Sequence, residues 1–384
     1  METNAPSSHP PSSILNPQRI LVRGVNWLGD AVMTTPAMMR LRERFPEARI
    51  ALVTPKKLKD LWQHHPAVQE TISFAAGDSV FSISHKLRAE NFDLALVLPN
   101  SPRSALEVWL ARIPRRIGYA RPWRNWFLTQ NIAPRPGAVK MRKRSVAGIR
   151  KLIDSTTGTT QNSKLNTQYS SAHQIHEYLH LAAALGANPE PVPPQLFLTL
   201  DEIEAARTKF GLAGIKSMVA GLMPGAEYGP AKRWPVERFI AAACEIQKRT
   251  NCLWLILGGK GDVEIAGRIE SGLRLPASGL RNLAARTSLR ELCALLKLSS
   301  VLLTNDTGPM HVAAALGTRV VVPFGSTSPE LTGPGLPGDP HHRLLKSDAP
   351  CSPCFLRECP IDFRCMNGIS VERVVEAVAT MLQR

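Results

Sequence analysis

Arg19-Ile-Leu-Val-Arg-Gly-Val-Asn-Trp-Leu-Gly-Asp30 reads as a short apolar strand, a glycine-bounded turn and the opening of a helix. Ala31, Met38 and Leu41 can line the buried face of that helix, which the spacing carries to about Phe45. A near-continuous apolar strand running into a helix implies a parallel sheet covered on both faces. The alternation continues with a strand at 49–53, a helix near 58–64, a strand near 71–74 and a strand at 92–98 ending in Pro99-Asn100-Ser101. It restarts after Asn188-Pro-Glu-Pro-Val-Pro-Pro194, whose four prolines suit a stiff linker. Strands are expected at 218–223, 253–257, 301–303 and 320–323. Helices are expected at 174–185, 236–250, 263–272, 289–298, 310–316 and 371–384.

The fold class is therefore α/β, with two Rossmann-like doubly wound domains facing across a cleft at the carboxyl ends of their strands. The expected organisation is a disordered lead-in at 1–17, a first domain at 18–187 with a mobile loop at 155–172, a linker at 188–195 and a second domain at 196–370. A last helix at 371–384 follows. A chain of 384 residues suits two such domains.

The chain holds 47 Lys+Arg against 31 Asp+Glu, a formal net charge of +16. Residues 1–195 hold 25 basic and 13 acidic residues; residues 196–384 hold 22 and 18. From Arg112 to Lys151 there are 12 basic residues and no acidic one. The first half is expected to face an anionic partner. No run of 18 uncharged apolar residues occurs, and the polar start lacks the apolar core of a signal peptide, so the expected location is cytoplasmic.

Four segments fall at strand ends, where open α/β sheets bind ligands. Asp30 follows the first strand; it can take a proton from a sugar hydroxyl or simply cap the helix. A helix N-terminus there stabilises the carboxylate and weakens it as a base. Pro224-Gly225-Ala-Glu227-Tyr228-Gly-Pro-Ala-Lys232-Arg-Trp-Pro235 is a glycine-rich turn with a lysine before a helix, which suits phosphate. Asp306, Thr307, Gly308 and His311 open another helix whose free N–H groups suit a diphosphate. Asp262 can bond ribose hydroxyls or cap a helix. No Asp-x-Asp pair stands at a strand end to hold a divalent metal. Cys351, Cys354, Cys359 and Cys365 lie within 15 residues, and either bind a structural zinc or remain free thiols.

The motifs at 24–30, 225–235 and 304–316, with Val97-Leu-Pro-Asn-Ser101, resemble the ADP-heptose:lipopolysaccharide heptosyltransferases of glycosyltransferase family 9. The similarity covers about 18–330 and the last helix. It implies a GT-B fold whose final helix crosses back to the first domain. It also implies an inverting, metal-independent transfer of L-glycero-D-manno-heptose from ADP-heptose to the first heptose of heptosyl-Kdo2-lipid A. By motif position, Asp30 corresponds to the general base and Lys232 to the diphosphate-binding lysine. Gly225, Glu227, Tyr228, Asp262, Asp306, Thr307, Gly308 and His311 correspond to the donor site. Asn26, Trp27, Asn100, Ser101, Arg103, Arg121 and Arg124 are expected on the acceptor side. The cysteine cluster is absent from some members and is not expected to serve chemistry. The implied partners are ADP-heptose, a Kdo–lipid A glycolipid and the cytoplasmic face of the inner membrane, with no nucleic acid. The rivals are transfer of the first heptose or another core sugar, and, in a different class, a zinc-stabilised nucleic-acid-binding protein. The latter lacks a basic recognition helix and an aromatic RNA motif.

Overall fold

The structure is a computed structural model that describes residues 16–155 and 172–382. The expectations for the lead-in and for the loop at 155–172 lie almost entirely outside these residues.

The first six strands are β1 (Arg19–Arg23), β2 (Arg49–Pro55), β3 (Glu70–Phe74), β4 (Leu94–Val97), β5 (Arg115–Tyr119) and β6 (Gln130–Ile132). They form one parallel sheet in the order β3-β2-β1-β4-β5-β6. Helices α1 (Leu28–Arg44), α2 (Val80–Arg88) and α3 (Pro102–Leu110) alternate with these strands. Ile20, Leu21 and Val22 are fully buried, as a strand covered on both faces requires.

Helices α4 (Val146–Ser155), α5 (Ile175–Ala183) and α6 (Leu200–Lys209) precede the second sheet. Its strands are β7 (Val219–Met223), β8 (Leu253–Ile256), β9 (Leu280–Asn282), β10 (Val301–Thr304), β11 (Arg319–Phe324) and β12 (His342–Lys346), in the order β12-β11-β10-β7-β8-β9, again parallel. Between and after them come α7 (Val236–Thr250), α8 (Val263–Leu273), α9 (Leu289–Leu298), α10 (Gly308–Ala315), α11 (Pro329–Thr332), α12 (Arg364–Asn367) and α13 (Val371–Leu382). Both sheets are doubly wound with the strand order reversing beside their first strand, at β1–β4 and at β7–β10.

The expected elements are present, with one changed in kind: the helix near 58–64 is a 3-10 turn at Lys56–Trp62. The domain boundaries differ. One compact unit takes residues up to 26, 37–135 and 178–190; the other takes 27–36, 136–177 and 191–384. Local bonds explain the assignment of 136–177. The Arg144 amide donates to the Cys354 carbonyl at 3.0 Å, and the Gln174 amide to that of Leu331 at 2.9 Å. Ile149 packs with Cys351 and Cys354. Val374, Val375, Val378 and Met381 of α13 are spent on the core around β7, β8 and β10 of their own unit, against α7.

Candidate active site

Asp30 is the third residue of α1, inside the helix rather than at its cap. Gln174 Nε2 donates to its Oδ1 at 3.3 Å. Burial pushes the carboxyl up to about 6, against the lowering effects of the Gln174 bond and the positive charge of Lys232. The expectation that the helix start would weaken Asp30 as a base is therefore reversed: desolvation outweighs the stabilisation of the anion.

Gly29 brings this segment against the start of α10. A Cβ on Gly29 would stand 2.7 Å from His311 Cδ2, and one on Gly308 would stand 2.8 Å from Leu28 Cβ. Only paired glycines permit this approach. Thr307 precedes α10 in an extended conformation and makes no side-chain cap bond. The first amides of α10 therefore lack a side-chain cap from Thr307. His311 is buried, and that burial lowers its pKa to about 3, so its ring is neutral at physiological pH. His173 is likewise lowered to about 4 by burial. Its Nδ1 accepts from the Ile175 amide, so Nε2 carries the proton given to the Gly333 carbonyl.

Lys232 lies at the end of the glycine-rich turn after β7. Its Nζ pairs with Asp306 Oδ2 at 2.7 Å, and Thr327 Oγ1 donates to the same oxygen. Asp306 is thus buried and occupied with holding the lysine. Asn305, fully buried, joins the two loops. Its Nδ2 donates to the Pro224 carbonyl at 2.7 Å, and its Oδ1 accepts from the Trp234 amide at 2.9 Å. Gly225 lies directly beneath Asp262, where a Cβ would stand 2.1 Å from a carboxylate oxygen. Asp262 accepts from the Gly259 amide at 2.9 Å within its own loop after β8, and its closeness to Gly225 sets that loop against the one after β7. Glu227 is exposed. Tyr228 Oη donates to the Phe355 carbonyl at 2.9 Å. Lys232 and Arg357 both stand over the Tyr228 ring, at 5.0 and 5.2 Å.

In the first unit, the residues expected on the acceptor side cluster beside the β1–β4 reversal. Asn26 is exposed and accepts from Arg23. Asn100 is exposed, and its Oδ1 accepts from Arg124 Nη1 at 3.3 Å. Arg124 is fully buried, gives a second bond to the Pro99 carbonyl at 2.8 Å, and is lowered to about 10 chiefly by burial. Its Nε and Nη2 have no hydrogen-bond partner among the described residues. Arg121 lies over the Tyr119 ring. Two residues have structural duties instead. Ser101 caps α3 through the Ser104 amide, and Arg103 pairs with Glu107 at 3.3 Å and donates to the Asp78 carbonyl. Trp27, expected with them, belongs to the second unit and is half-exposed.

Cys351, Cys354, Cys359 and Cys365 line one small cavity with Ile149 and Ala231. Burial, then the neighbouring thiols, pushes Cys365 up to about 12. Among the described residues no three His, Cys, Asp or Glu side chains stand ready as a metal site. The loop instead braces the lysine turn: the Arg357 carbonyl accepts from the Ala231 amide at 2.9 Å, and Phe355 accepts from Tyr228.

The sequence reading missed Gln174, Asn305 and Thr327. It also missed the buried Arg23–Glu107 pair at 2.6 Å beneath the first turn. Asn305 was legible in principle as a polar residue at the end of an apolar strand. Gln174 carried no signal, because it meets Asp30 across 144 positions.

The model of glycosyltransferase family 9 (heptosyltransferase) matches residues 80–164 and 138–363. Lipopolysaccharide heptosyltransferase 2 of Escherichia coli is 31% identical over 330 residues, which are 82% of this chain and 85% of that protein. Lipooligosaccharide heptosyltransferase 2 of Haemophilus ducreyi is 29% identical over 330 residues, 82% and 86% of the two chains. Among solved structures, E. coli ADP-heptose lps heptosyltransferase II matches with a TM-score of 0.75 at 26% identity, covering 95% of this chain and 98% of that one. E. coli heptosyltransferase WaaC with ADP shares the fold at a TM-score of 0.67 and 17% identity, covering 94% and 99%. Two parallel doubly wound sheets of the GT-B class, carrying the lysine turn and the paired-glycine helix start, accord with these matches, and the chain belongs to glycosyltransferase family 9, the heptosyltransferases.

Proposed function

We propose that this glycosyltransferase moves L-glycero-D-manno-heptose from ADP-heptose to the first heptose of a lipopolysaccharide inner core. The observation that carries the reading is a carboxyl raised to about 6 in a segment packed against the start of α10, with Lys232 near enough to act on its charge. The names of the relatives support the substrate class.

In the reaction, Asp30 accepts the proton of the attacking hydroxyl. The acceptor oxygen bonds to the anomeric carbon from the face opposite the diphosphate, and the bond to the diphosphate oxygen breaks. ADP departs as an anion. Lys232 and the amides at the start of α10 meet the charge that develops on it. Asp306 positions the lysine, and on substrate arrival the diphosphate competes for it. Neutral His311 packs beneath Gly29 rather than moving a proton. Tyr228, Glu227 and Asp262 border the donor loop, and Asn26, Trp27, Asn100, Arg121 and Arg124 serve the acceptor. The four-cysteine loop braces the lysine turn; metal analysis of the purified protein reads directly whether zinc adds to that brace. The protein would work against the cytoplasmic face of the inner membrane, where the glycolipid lies.

The test is an acceptor series bearing zero, one or two heptoses, with ADP-heptose as donor and mass detection of product. Transfer only to the one-heptose acceptor is expected; transfer to the zero-heptose acceptor instead would assign the first-heptose reaction. Asp30→Ala should abolish transfer while ADP-heptose still binds; full activity in that variant rejects the base. Lys232→Ala should cost about 2–4 kcal/mol of transition-state stabilisation, the range for a lost oxyanion donor.

A further inference from the structure

The loop from β5 to β6 displays two tryptophans to solvent in a single turn. Trp123 is 87% exposed and Trp126 is 90% exposed, whereas Arg124 between them is fully buried. This inverts the usual preference, since tryptophan is large and mostly buried and arginine is mostly exposed. The inversion is held in place. Arg124 is fixed by the Pro99 carbonyl and Asn100, the Arg121 amide donates to Asn125 Oδ1 at 2.8 Å, and a 3-10 turn at Asn125–Phe127 follows. Trp123 has a left-handed φ of 63°, a costly conformation for an aromatic residue, which persists where surrounding bonds impose it. Trp109, 45% exposed, lies against Phe127 with ring centroids 5.7 Å apart and extends the aromatic surface.

The charge along this stretch of chain is of one sign. Residues 112–135 contain six arginines and no acidic residue. Indole rings with polar N–H groups favour the headgroup level of a bilayer, and clustered arginines favour anionic lipid. The loop leaves the carboxyl end of β5, beside the Pro99–Asn100 turn that ends β4.

We propose that the Trp123–Trp126 turn is a membrane-interface wedge that seats this unit on an anionic lipid surface. The proposal rests on the reading of the acceptor as a glycolipid, since that substrate reaches the Asn100 turn from the bilayer. The rings enter the headgroup region while the buried Arg124 stays in the protein and keeps the turn rigid.

The test measures flotation of the full chain with vesicles, in the absence of substrate. One set is phosphatidylethanolamine with a quarter phosphatidylglycerol; the other is phosphatidylcholine alone. Binding to the anionic set, with a blue shift of tryptophan emission, is expected. The Trp123→Ala/Trp126→Ala variant should lose about ten- to a hundredfold in partitioning, and Trp→Tyr at both positions should lose less. Unchanged thermal melting would show that the variant is folded. Transfer to a deacylated, soluble acceptor should be the same in wild type and variant, while transfer to vesicle-borne acceptor falls. Failure of transfer to both acceptors by the wild type would reject the functional reading without touching vesicle binding. Equal vesicle binding by variant and wild type, equal binding to both vesicle sets, or loss in the variant of binding to single-stranded RNA rather than to vesicles would overturn the wedge.

Discussion

At the scale of single residues, Asp30, the proposed base, also strains the fold. A base must be ionised to accept a proton, so kcat/KM should rise with pH and reach half its plateau near pH 6, where burial has placed the carboxyl. A half-plateau near pH 4 would remove desolvation as the tuning device. The same shift predicts a stability cost. The folded state binds this proton more tightly than an unfolded chain with its ordinary value of 3.8. Wild type therefore gains stability as pH falls from about 6 towards 4 and carries the full penalty above 6. Asp30→Asn keeps the shape and an acceptor for Gln174 but has no charge to desolvate. It should unfold at higher denaturant than wild type at pH 8, by about 1–3 kcal/mol after allowance for partial exposure, with the advantage vanishing below pH 4. Equal stability at pH 8 would contradict the strain. The position of Asp30 after an apolar strand was legible in the sequence. Its pKa was not, because burial and Gln174 set it through contacts distant in the chain. Lys232 was legible for the same reason as Asp30. Its hold by Asp306 and Thr327 required the two loops to be folded together.

At the scale of elements, the central strands were legible, but place in the sheet did not decide the rest: edge β3 was expected near 71–74, whereas β5 (Arg-Arg-Ile-Gly-Tyr), inside its sheet, was not. The centres β1, β4, β7 and β10 are buried throughout or nearly so and read as apolar runs. The unanticipated β6 and β9 are three-residue edges, Gln-Asn-Ile and Leu-Arg-Asn, too short and too polar to read as apolar runs. Strand β12, His-Arg-Leu-Leu-Lys, is an edge of the same kind. Two amphipathic helices match the expected bounds: α9, opened by a Ser288–Glu291 capping box, and α7, closed by a left-handed Asn251. The cysteine loop was legible as a cluster but not as a brace, because it bonds through its own main-chain carbonyls, which carry no sequence signature. The bracing predicts a specific effect. Tyr228→Phe keeps the ring beneath Lys232 and Arg357 but loses the bond to the Phe355 carbonyl. A net hydrogen bond contributes about 0.5–1.5 kcal/mol, so kcat/KM for ADP-heptose should fall about two- to tenfold. The Cys365→Ser variant should act in the same direction by loosening the same loop, measured as weaker ADP-heptose binding in calorimetry. Donor affinity unchanged in both variants would leave the loop without a role in the lysine turn.

At the scale of the whole molecule, the charge asymmetry of the sequence narrows when it is counted by compact unit. Counted by chain halves, the net charge is +12 and +4; counted by compact unit, 18 basic and 10 acidic residues fall in one and 29 and 21 in the other, +8 each. The basic residues at 140–151 change sides, because 136–177 belongs with the second sheet. The first unit still carries the higher net charge per residue, and the arginine-rich tryptophan turn is one basic surface on it. The same interleaving bears on how the chain can be divided. A cut in the proline-rich segment at 188–195 looks natural from sequence, yet residues 191–384 alone lack Ile149 against Cys351 and Cys354, His173 against Gly333, Gln174 against Leu331 and Gly29 against His311. Removing such buried partners exposes apolar surface and leaves polar groups unpaired, at about 1–3 kcal/mol for each polar group. Expressed by itself, the 191–384 fragment should aggregate or melt well below the full chain and bind ADP-heptose at least tenfold more weakly. Co-expression with residues 1–190 should restore solubility and donor binding. Calorimetry and thermal melting on the three samples decide the matter: a lone fragment with the donor affinity and melting temperature of the intact chain would mean that the early segments are appended to a self-sufficient domain rather than built into it.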